Sequence, residues 1–197
     1  MLNFDIPSQQ ISGDDEPSII FLLNMLKTEK PLIYEIGSWT GASTSIFAKY
    51  VKPLGGKVIS IDNFSGEGSQ LKDYINNNNI KEILSSNLKE QGLLDFVEIT
   101  GKSSDDAFIC YEDETADLIF VDGNHMYDQS KRDLDNWLPK LKNGGIMCGH
   151  DFAGFDYEED FINLDAHGNR HHGVVKSVTE KFPDVKKQGC RIWWIVK

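Results

Sequence analysis

Short apolar runs alternate with segments of helical character along most of this 197-residue chain. The apolar runs predict strands at residues 31–36, 57–62, 95–100, 116–122 and 146–149. Strands that alternate with helices form a parallel sheet with helices on both faces, because each parallel connection must cross over the sheet. The alternation therefore predicts an α/β fold built on one largely parallel sheet.

The segments between these runs supply the predicted helices. Pro17 suits a first helical turn, and apolar residues with helical spacing follow it as far as Leu26. Further helices are predicted at residues 41–51, at about 70–90 with a break allowed, and briefly after residue 103. A helix ending at residues 144–145 would carry one apolar face formed by Leu134, Trp137, Leu138 and Leu141.

The last part of the chain departs from this alternation. Residues 174–182 predict a helix, and residues 184–187 then turn at 188–189 into a strand at 191–196. Strands joined by so short a turn must be antiparallel. The complete prediction is a Rossmann-like, doubly wound, seven-stranded sheet that is parallel except for an antiparallel C-terminal hairpin.

One domain is expected over residues 1–197, with residues 1–29 as an N-terminal helical extension. Residues 153–173 are the one long irregular stretch, which predicts a lid or an acceptor-binding loop.

Composition narrows the classes of partner and compartment. The net charge of −11 argues against nucleic acid, since phosphate binding needs a basic surface. No run reaches the roughly 18 apolar residues of a membrane span, and the acidic, polar start lacks a signal-peptide pattern, so a cytoplasmic location is expected. The three cysteines, Cys110, Cys148 and Cys190, are far apart and odd in number, which argues against a disulfide framework.

A glycine-containing loop follows the first predicted strand. Ligands bind beyond the carboxyl ends of strands in open parallel sheets, where Gly37 and Gly41 are expected. Gly37 allows a sharp turn, and Gly41 allows the next helix to approach a ligand closely. The G-x-x-x-G spacing differs from the G-x-G-x-x-G of dinucleotide sites, and the nearby acid Glu35 favours a ligand with ammonium and sulfonium groups. A purely structural turn is the alternative.

Two further strand ends complete this predicted cofactor pocket. Asp62 ends the second strand, where a carboxylate can accept hydrogen bonds from two ribose hydroxyls, and a helix cap or turn is the alternative. Residues 101–105 follow the third strand and could line an adenine ring. A helix N-cap explains Ser103 or Ser104 equally well.

The ends of the fourth and fifth strands carry the residues for chemistry. Side chains at the tips of neighbouring strands, roughly 4.8 Å apart, can meet around one ion. Asp122, His150 and Asp151 therefore form a candidate metal site. Two carboxylates suit Mg²⁺ or Mn²⁺, and a histidine ligand favours manganese, iron, cobalt or zinc. Alternatively, Asp122 hydrogen-bonds the cofactor and residues 150–151 form a plain turn.

A histidine is the candidate proton acceptor. His125 directly follows the end of the fourth strand, and an imidazole with an unperturbed pKa of about 6.5 can take a proton from a hydroxyl nucleophile. A helix-capping or buried structural histidine is the alternative. His167, His171 and His172 could form another metal site, but we interpret them as part of a solvated loop.

These motifs together resemble the class I methyltransferases that use S-adenosylmethionine (SAM), and more closely the small bacterial group of macrocin-type sugar O-methyltransferases. The resemblance covers about residues 30–197, and residues 120–127 resemble the D-G-D-H-x-Y signature of that group. Its other blocks are residues 34–41, 60–62, 141–145 and 149–152. It implies that SAM is held by Glu35, Gly37, Ser38, Trp39, Gly41, Ser43, Asp62, Asn63, Ser103, Ser104 and Asp122.

The sequence is also similar to the catechol-type O-methyltransferases, which hold magnesium with two acids and a neighbouring amide. In that comparison Asp122 matches the first metal ligand, and His150 and Asp151 match the following pair. His125 falls where those enzymes carry a catalytic lysine. Two residues depart from the family pattern, because Asn124 stands where relatives often have an aspartate and His150 replaces a carboxylate.

The resemblance implies a SAM-dependent methyltransferase that acts on a hydroxyl of a small molecule, which is a sugar or a phenol. Whether Mg²⁺ or Mn²⁺ assists the reaction is left open. Asp122 and His125 are its predicted catalytic residues. The expected partner is a small-molecule acceptor, without nucleic acid or membrane, and a homodimer is left open. One alternative is a SAM-binding module without turnover, motivated by Asn124 and His150. Another is a nicotinamide-dependent oxidoreductase, disfavoured by the missing third glycine.

Overall fold

The computed structural model describes residues 13–66, 74–152 and 171–197. Its sheet has seven strands in the order β3-β2-β1-β4-β5-β7-β6. β1 to β5 are parallel, and β7 runs antiparallel to both β5 and β6. The predicted mixed sheet with an antiparallel C-terminal hairpin is confirmed. The strands are β1 (Leu32–Ile36), β2 (Lys57–Ile61), β3 (Val97–Thr100), β4 (Ala116–Val121), β5 (Leu141–Gly149), β6 (Lys186–Gln188) and β7 (Ile192–Val196).

Helices cover both faces of this sheet. They are α1 (Asp15–Leu23), α2 (Ala42–Val51), α3 (Ile80–Glu90), α4 (Ser104–Ala107), α5 (Tyr127–Trp137) and α6 (His172–Lys181). The stretch predicted at 70–90 is broken, since residues 74–77 are helical and Asn79 caps α3 by accepting a hydrogen bond from the Glu82 N–H at 3.3 Å. Residues 67–73 lie outside the described part of the chain.

Alternate strand side chains point into two apolar cores, one on each side of the sheet. One core lies between the sheet and α1, α2 and α3, and the other lies between the sheet and α5 and α6. β4 is buried along its whole length, as expected for a central strand covered on both faces. The first core includes Ile33, Val58, Leu118, Phe120, Ile146 and Cys148, and the second includes Tyr34, Ile36, Ile59, Ile119, Val121 and Met147.

The structure corrects the predicted boundary between α5 and β5. α5 ends at Trp137, a 3₁₀ turn follows over Leu138–Lys140, and β5 begins at Leu141 rather than at residue 146. Pro139 explains the early end, because proline has no N–H with which to continue an α-helix. The apolar face predicted for one helix is therefore divided between a helix, a turn and a strand.

Smaller differences concern β3 and the predicted loop. Residues Leu94–Phe96 form a 3₁₀ turn, so β3 begins at Val97. The loop predicted at 153–173 lies outside the described residues as far as residue 170, and α6 begins at His172. All three cysteines are free.

In the described ranges, every helix is too short or too polar to cross a membrane.

Candidate active site

The turn after β1 brings the glycine loop against the end of β4. Gly37 has a φ of +87°, and a Cβ built on it would lie 1.9 Å from the carbonyl oxygen of Asp122. The Gly37 N–H donates to the Ile61 carbonyl at 2.8 Å, and the Asp122 N–H donates to the Ile36 carbonyl at 2.8 Å. Gly41, with a φ of +91°, precedes α2. Only glycine fits at position 37 without displacing the neighbouring backbone.

Glu35 lies behind this loop and has no exposed surface. One carboxyl oxygen contacts the hydroxyl of Ser43, and the other lies 2.5 Å from the hydroxyl of Thr44. Burial raises the pKa of Glu35 to about 8; the two hydroxyls oppose that rise, and the charges of Asp122 and Asp62 add to it. Glu35 therefore joins β1 to the first turn of α2. Sequence reasoning missed Thr44.

Asp62, just after β2, holds the glycine loop through the backbone. Its Oδ2 accepts a hydrogen bond from the Trp39 N–H at 2.8 Å, and its Oδ1 accepts one from the Phe64 N–H at 2.7 Å. Burial raises the pKa of Asp62, although these backbone hydrogen bonds oppose the rise. A carboxylate offers about four lone-pair sites, so both oxygens can still accept hydrogen bonds from a ligand.

The remaining predicted cofactor residues differ in their surroundings. Ser38 is buried and accepts a hydrogen bond from the Ser60 hydroxyl at 2.7 Å. Trp39 is also buried, with a φ of +46°. Asn63 is exposed, and its Oδ1 accepts a hydrogen bond from the Ser65 N–H at 3.0 Å.

The residues after β3 turn toward α5. Ser103 is the N-cap of α4 and accepts a hydrogen bond from the Asp106 N–H at 3.1 Å, as the structural alternative predicted. Ser104 donates from its hydroxyl to Oδ1 of Asp133 at 2.5 Å. Asp133 is buried, and burial raises its pKa to about 6. Sequence reasoning did not identify Asp133, whose position in a polar helix stretch resembles an ordinary surface acid.

Four polar side chains meet where β4 and β5 end. Nε2 of His125 lies 2.8 Å from Oδ2 of Asp151, and Nδ1 of His150 lies 3.1 Å from Oδ1 of Asp151. Oδ1 of Asp122 is 3.8 Å from both Nε2 of His125 and Nδ1 of His150. The predicted catalytic and metal residues are therefore brought together. Asp122, His125 and His150 border a small recess that Val174 and Trp193 also line.

The charges in this group stabilise one another. Burial would raise the pKa of Asp151, but the hydrogen bonds from His125 and His150 hold it well below its usual range. Burial would lower the pKa of His150, but Asp122, Asp15 and Asp151 raise it to about 10. The three neighbouring carboxylates therefore favour the protonated, cationic form of His150.

Two further side chains contact this group: Asp15, which the sequence did not indicate, and His171, which it offered as part of another possible metal site. Asp15, in the first turn of α1, is fully buried, and its Oδ2 lies 3.1 Å from Nε2 of His150. The ring of His171 stacks on that of His125, with centroids 4.0 Å apart. His171 is the partly exposed N-cap of α6, and the buried His172 is its first residue, so the solvated-loop interpretation is wrong for His172. His167 lies outside the described residues.

The donor atoms fit a metal ion. One set is Asp122, His150 and Asp151, and a second is His125, Asp151 and His171; in each set the ligand atoms lie within 4.8 Å of one another. Mixed imidazole and carboxylate donors suit manganese, iron, cobalt or zinc. Oδ2 of Asp15 lies 3.1 Å from Nε2 of His150, and a carboxylate near the outer nitrogen is common for histidines that bind metals.

Residues 34–152 match the model of a family described as a methyltransferase domain. The chain belongs to this methyltransferase family. Its sequence is also 26% identical over 137 residues to the uncharacterized protein y4gI of Sinorhizobium fredii (strain NBRC 101917 / NGR234). That match covers 68% of this methyltransferase chain and only 14% of the relative, so the chain spans a small part of the curated protein's length.

Solved methyltransferase structures share the fold. The SAH-bound methyltransferase PaMTH1 of Podospora anserina has a TM-score of 0.70 at 16% identity, covering 99% of this chain and 83% of that one. The O-methyltransferase of Bacillus cereus in complex with SAH has a TM-score of 0.62 at 19% identity, with 99% and 84% covered. TomG of Streptomyces achromogenes, in complex with SAM, has a TM-score of 0.64 at 19% identity, with 98% and 84% covered. The resemblance to class I methyltransferases is thus confirmed at the level of family and fold.

Proposed function

We propose that this methyltransferase domain transfers the methyl group of SAM to a hydroxyl of a small molecule, with a divalent metal assisting. The observation that carries the proposal is the meeting of two features at one edge of the sheet. The glycine loop is held there by Asp62, and Asp122 lies between that loop and the pair formed by His125 and Asp151. A cofactor pocket and a proton-accepting group thus adjoin. Bound SAM supplies a methyl group that is already activated as part of a sulfonium.

The residues near the glycine loop bind and orient the cofactor. Gly37 lets the β1 turn contact the end of β4, and Gly41, where a Cβ would lie 2.3 Å from Cδ1 of Leu84, lets α3 pack against the start of α2. The carboxylate of Asp62 accepts hydrogen bonds from the ribose hydroxyls, using the lone pairs that the N–H groups of Trp39 and Phe64 leave available. Methyl transfer depends chiefly on such alignment, because holding two reactants in the right geometry removes much of the entropic barrier.

The residues at the ends of β4 and β5 prepare the acceptor. Asp151 accepts a hydrogen bond from Nε2 of His125 at 2.8 Å, which fixes the tautomer that has its basic lone pair on Nδ1. His125 then takes the acceptor's hydroxyl proton. A metal held by Asp122, His150 and Asp151 would lower the pKa of that hydroxyl. By resemblance, sugar hydroxyls are the first acceptors to test, and phenols are the second.

Binding and turnover test this proposal separately. Calorimetry should give heat with SAM and with its demethylated product but none with NAD. Product formation from SAM, assayed with Mn²⁺ and a set of sugars and phenols, should identify an acceptor. His125→Asn should lower the rate with that acceptor by about 10²–10⁴-fold while SAM affinity stays unchanged, because only the proton transfer is lost.

Two results would contradict the proposal in different ways. Binding of NAD without binding of SAM would favour the oxidoreductase alternative. Full SAM affinity with no methyl transfer to any acceptor would favour the SAM-binding module.

A further inference from the structure

Asp15 reaches the site from outside the family-matched region, which begins at residue 34. It lies in the first turn of α1 and is fully buried. Its Oδ2 is 3.1 Å from Nε2 of His150 and 2.7 Å from Nη2 of Arg191, just before β7. A buried carboxylate is costly unless charged partners compensate, so its position against His150 needs a physical reason.

The ring of His150 is held between carboxylates on opposite edges. Nε2 faces Asp15, whereas Nδ1 lies 3.1 Å from Oδ1 of Asp151 and 3.8 Å from Oδ1 of Asp122. A flip of the ring would exchange its nitrogens and carbons and would lose both polar contacts. The imidazole therefore presents Nδ1 to the two acids that form the candidate metal site with it.

We propose that Asp15 is a positioning residue that orients His150 so that Nδ1 is the nitrogen available to a metal ion. This inference rests on the metal site of the proposed function. Histidine ligands commonly donate their other N–H to a carboxylate, and loss of that partner typically weakens metal binding 10–100-fold. The site is thereby completed by α1, which the family match does not include.

Asp14 provides a matched control, because it is the neighbouring acid at the start of the same helix. Its Oδ2 accepts a hydrogen bond from the Cys190 N–H at 2.8 Å, so it also attaches α1 to the C-terminal hairpin. Asp14 contacts the hairpin rather than the ring of His150. Loss of helix attachment and loss of ring orientation can therefore be separated.

The test uses the whole chain and measures Mn²⁺ affinity by the EPR signal of the free ion. Asp15→Asn should weaken Mn²⁺ binding about 10–100-fold, and Asp14→Asn should change it less than about twofold. SAM affinity, measured by calorimetry on the same samples, should stay unchanged in both variants. In a His150→Asn background, Asp15→Asn should cause no additional loss, because Asp15 acts through the ring.

A measurement on the unmodified chain covers the case in which Asp15→Asn does not fold. With ¹⁵N-labelled histidine and Zn²⁺ bound, NMR should identify Nδ1 of His150 as the coordinating nitrogen and Nε2 as protonated. Coordination through Nε2 would overturn the inference. So would wild-type Mn²⁺ affinity in a folded Asp15→Asn variant, an equal loss in Asp14→Asn, or no Mn²⁺ binding by the wild type. SAM binding and methyl transfer would still report independently on the proposed function.

Discussion

Glu35 is an acid with no exposed surface, placed between β1 and the hydroxyls of Ser43 and Thr44. Because burial raises its pKa to about 8, most of this group is protonated at neutral pH. The hydroxyls of Ser43 and Thr44 donate to its two oxygens and so favour the ionised form, but burial outweighs them. At neutral pH, Glu35 therefore links β1 to α2 rather than adding a full negative charge beside the ligand pocket.

This protonation predicts a specific pH dependence of stability. The folded state keeps the proton of Glu35 up to about pH 8, whereas an unfolded glutamate releases it near pH 4.3, so this group lowers the free energy of unfolding as pH rises between those values. Glu35→Gln imitates the protonated form. Relative to wild type, it should gain on the order of a few kcal/mol between pH 4.5 and pH 8.5.

Urea denaturation of wild type and Glu35→Gln at several pH values measures this difference. Glu98→Gln, which neutralises a half-exposed glutamate of β3 that pairs with Lys57 at 2.6 Å, is the control for loss of an acidic charge. A Glu35→Gln difference that stays constant with pH would show that Glu35 is ionised in the folded protein.

At the scale of elements, the turn from β1 to α2 depends on close contact with the end of β4. Gly37 and Gly144 have nearly the same positive φ, +87° and +81°. A Cβ at Gly37 would overlap the carbonyl of Asp122 at 1.9 Å, whereas a Cβ at Gly144 would meet nothing within 4 Å. The pair therefore separates steric contact from backbone strain.

Gly144→Ala should lower the free energy of unfolding by about 1–2 kcal/mol, the cost of a left-handed conformation for a residue with a side chain. Gly37→Ala should lose at least about 4 kcal/mol or show no cooperative unfolding, because the backbone of β4 must also move. Chemical denaturation monitored by circular dichroism measures both. Equal losses of unfolding free energy in the two variants would mean that the turn after β1 is not in close contact with the end of β4.

The strands also show which parts of the fold can be predicted from apolar runs in the sequence. Apolar runs identified the parallel strands, but β5 begins earlier than its apolar run suggests. Leu141 pairs with Ala116, and the pairing resumes only at Ile146 with Leu118. The polar residues 142–145 between them break the apolar pattern. A strand with such an irregularity has no continuous pattern to detect.

The residues of the candidate active site could likewise be predicted only where a local sequence pattern indicates them. Asp62, Asp122 and Asp151 could be predicted to lie at one edge, because the carboxyl ends of parallel strands share that edge. Their binding and catalytic roles stay predictions. Asp15 and His171 belong to helix starts, and their contacts with His150 and His125 arise only when distant segments pack together. No local pattern encodes those contacts.

Helix α1 contributes to the stability of the whole molecule, because it packs into the core that lies between the sheet and α2 and α3. Its buried residues Ile19, Leu22 and Leu23 pack with α2 and the sheet, while Ile20 and Phe21 are 43% and 45% exposed. The homodimer, which could use this exposed face, stays a prediction. Because α1 also supplies Asp15 to the site, we expect its packing to stabilise the entire fold.

Leu22→Ala and Phe21→Ala compare the two faces of α1. Leu22→Ala should lower the free energy of unfolding by about 2–5 kcal/mol, because it leaves a cavity in the core, whereas Phe21→Ala should cost less than about 1 kcal/mol. Urea unfolding should be followed by circular dichroism and by tryptophan fluorescence, to which Trp137 and Trp193 in the other core and Trp39 and Trp194 all contribute. Coincident transitions in Leu22→Ala would show that α1 and the sheet unfold together. An early loss of helix with unchanged fluorescence would instead identify α1 as a separately unfolding extension, and Asp15 would then reach His150 only while that helix is docked.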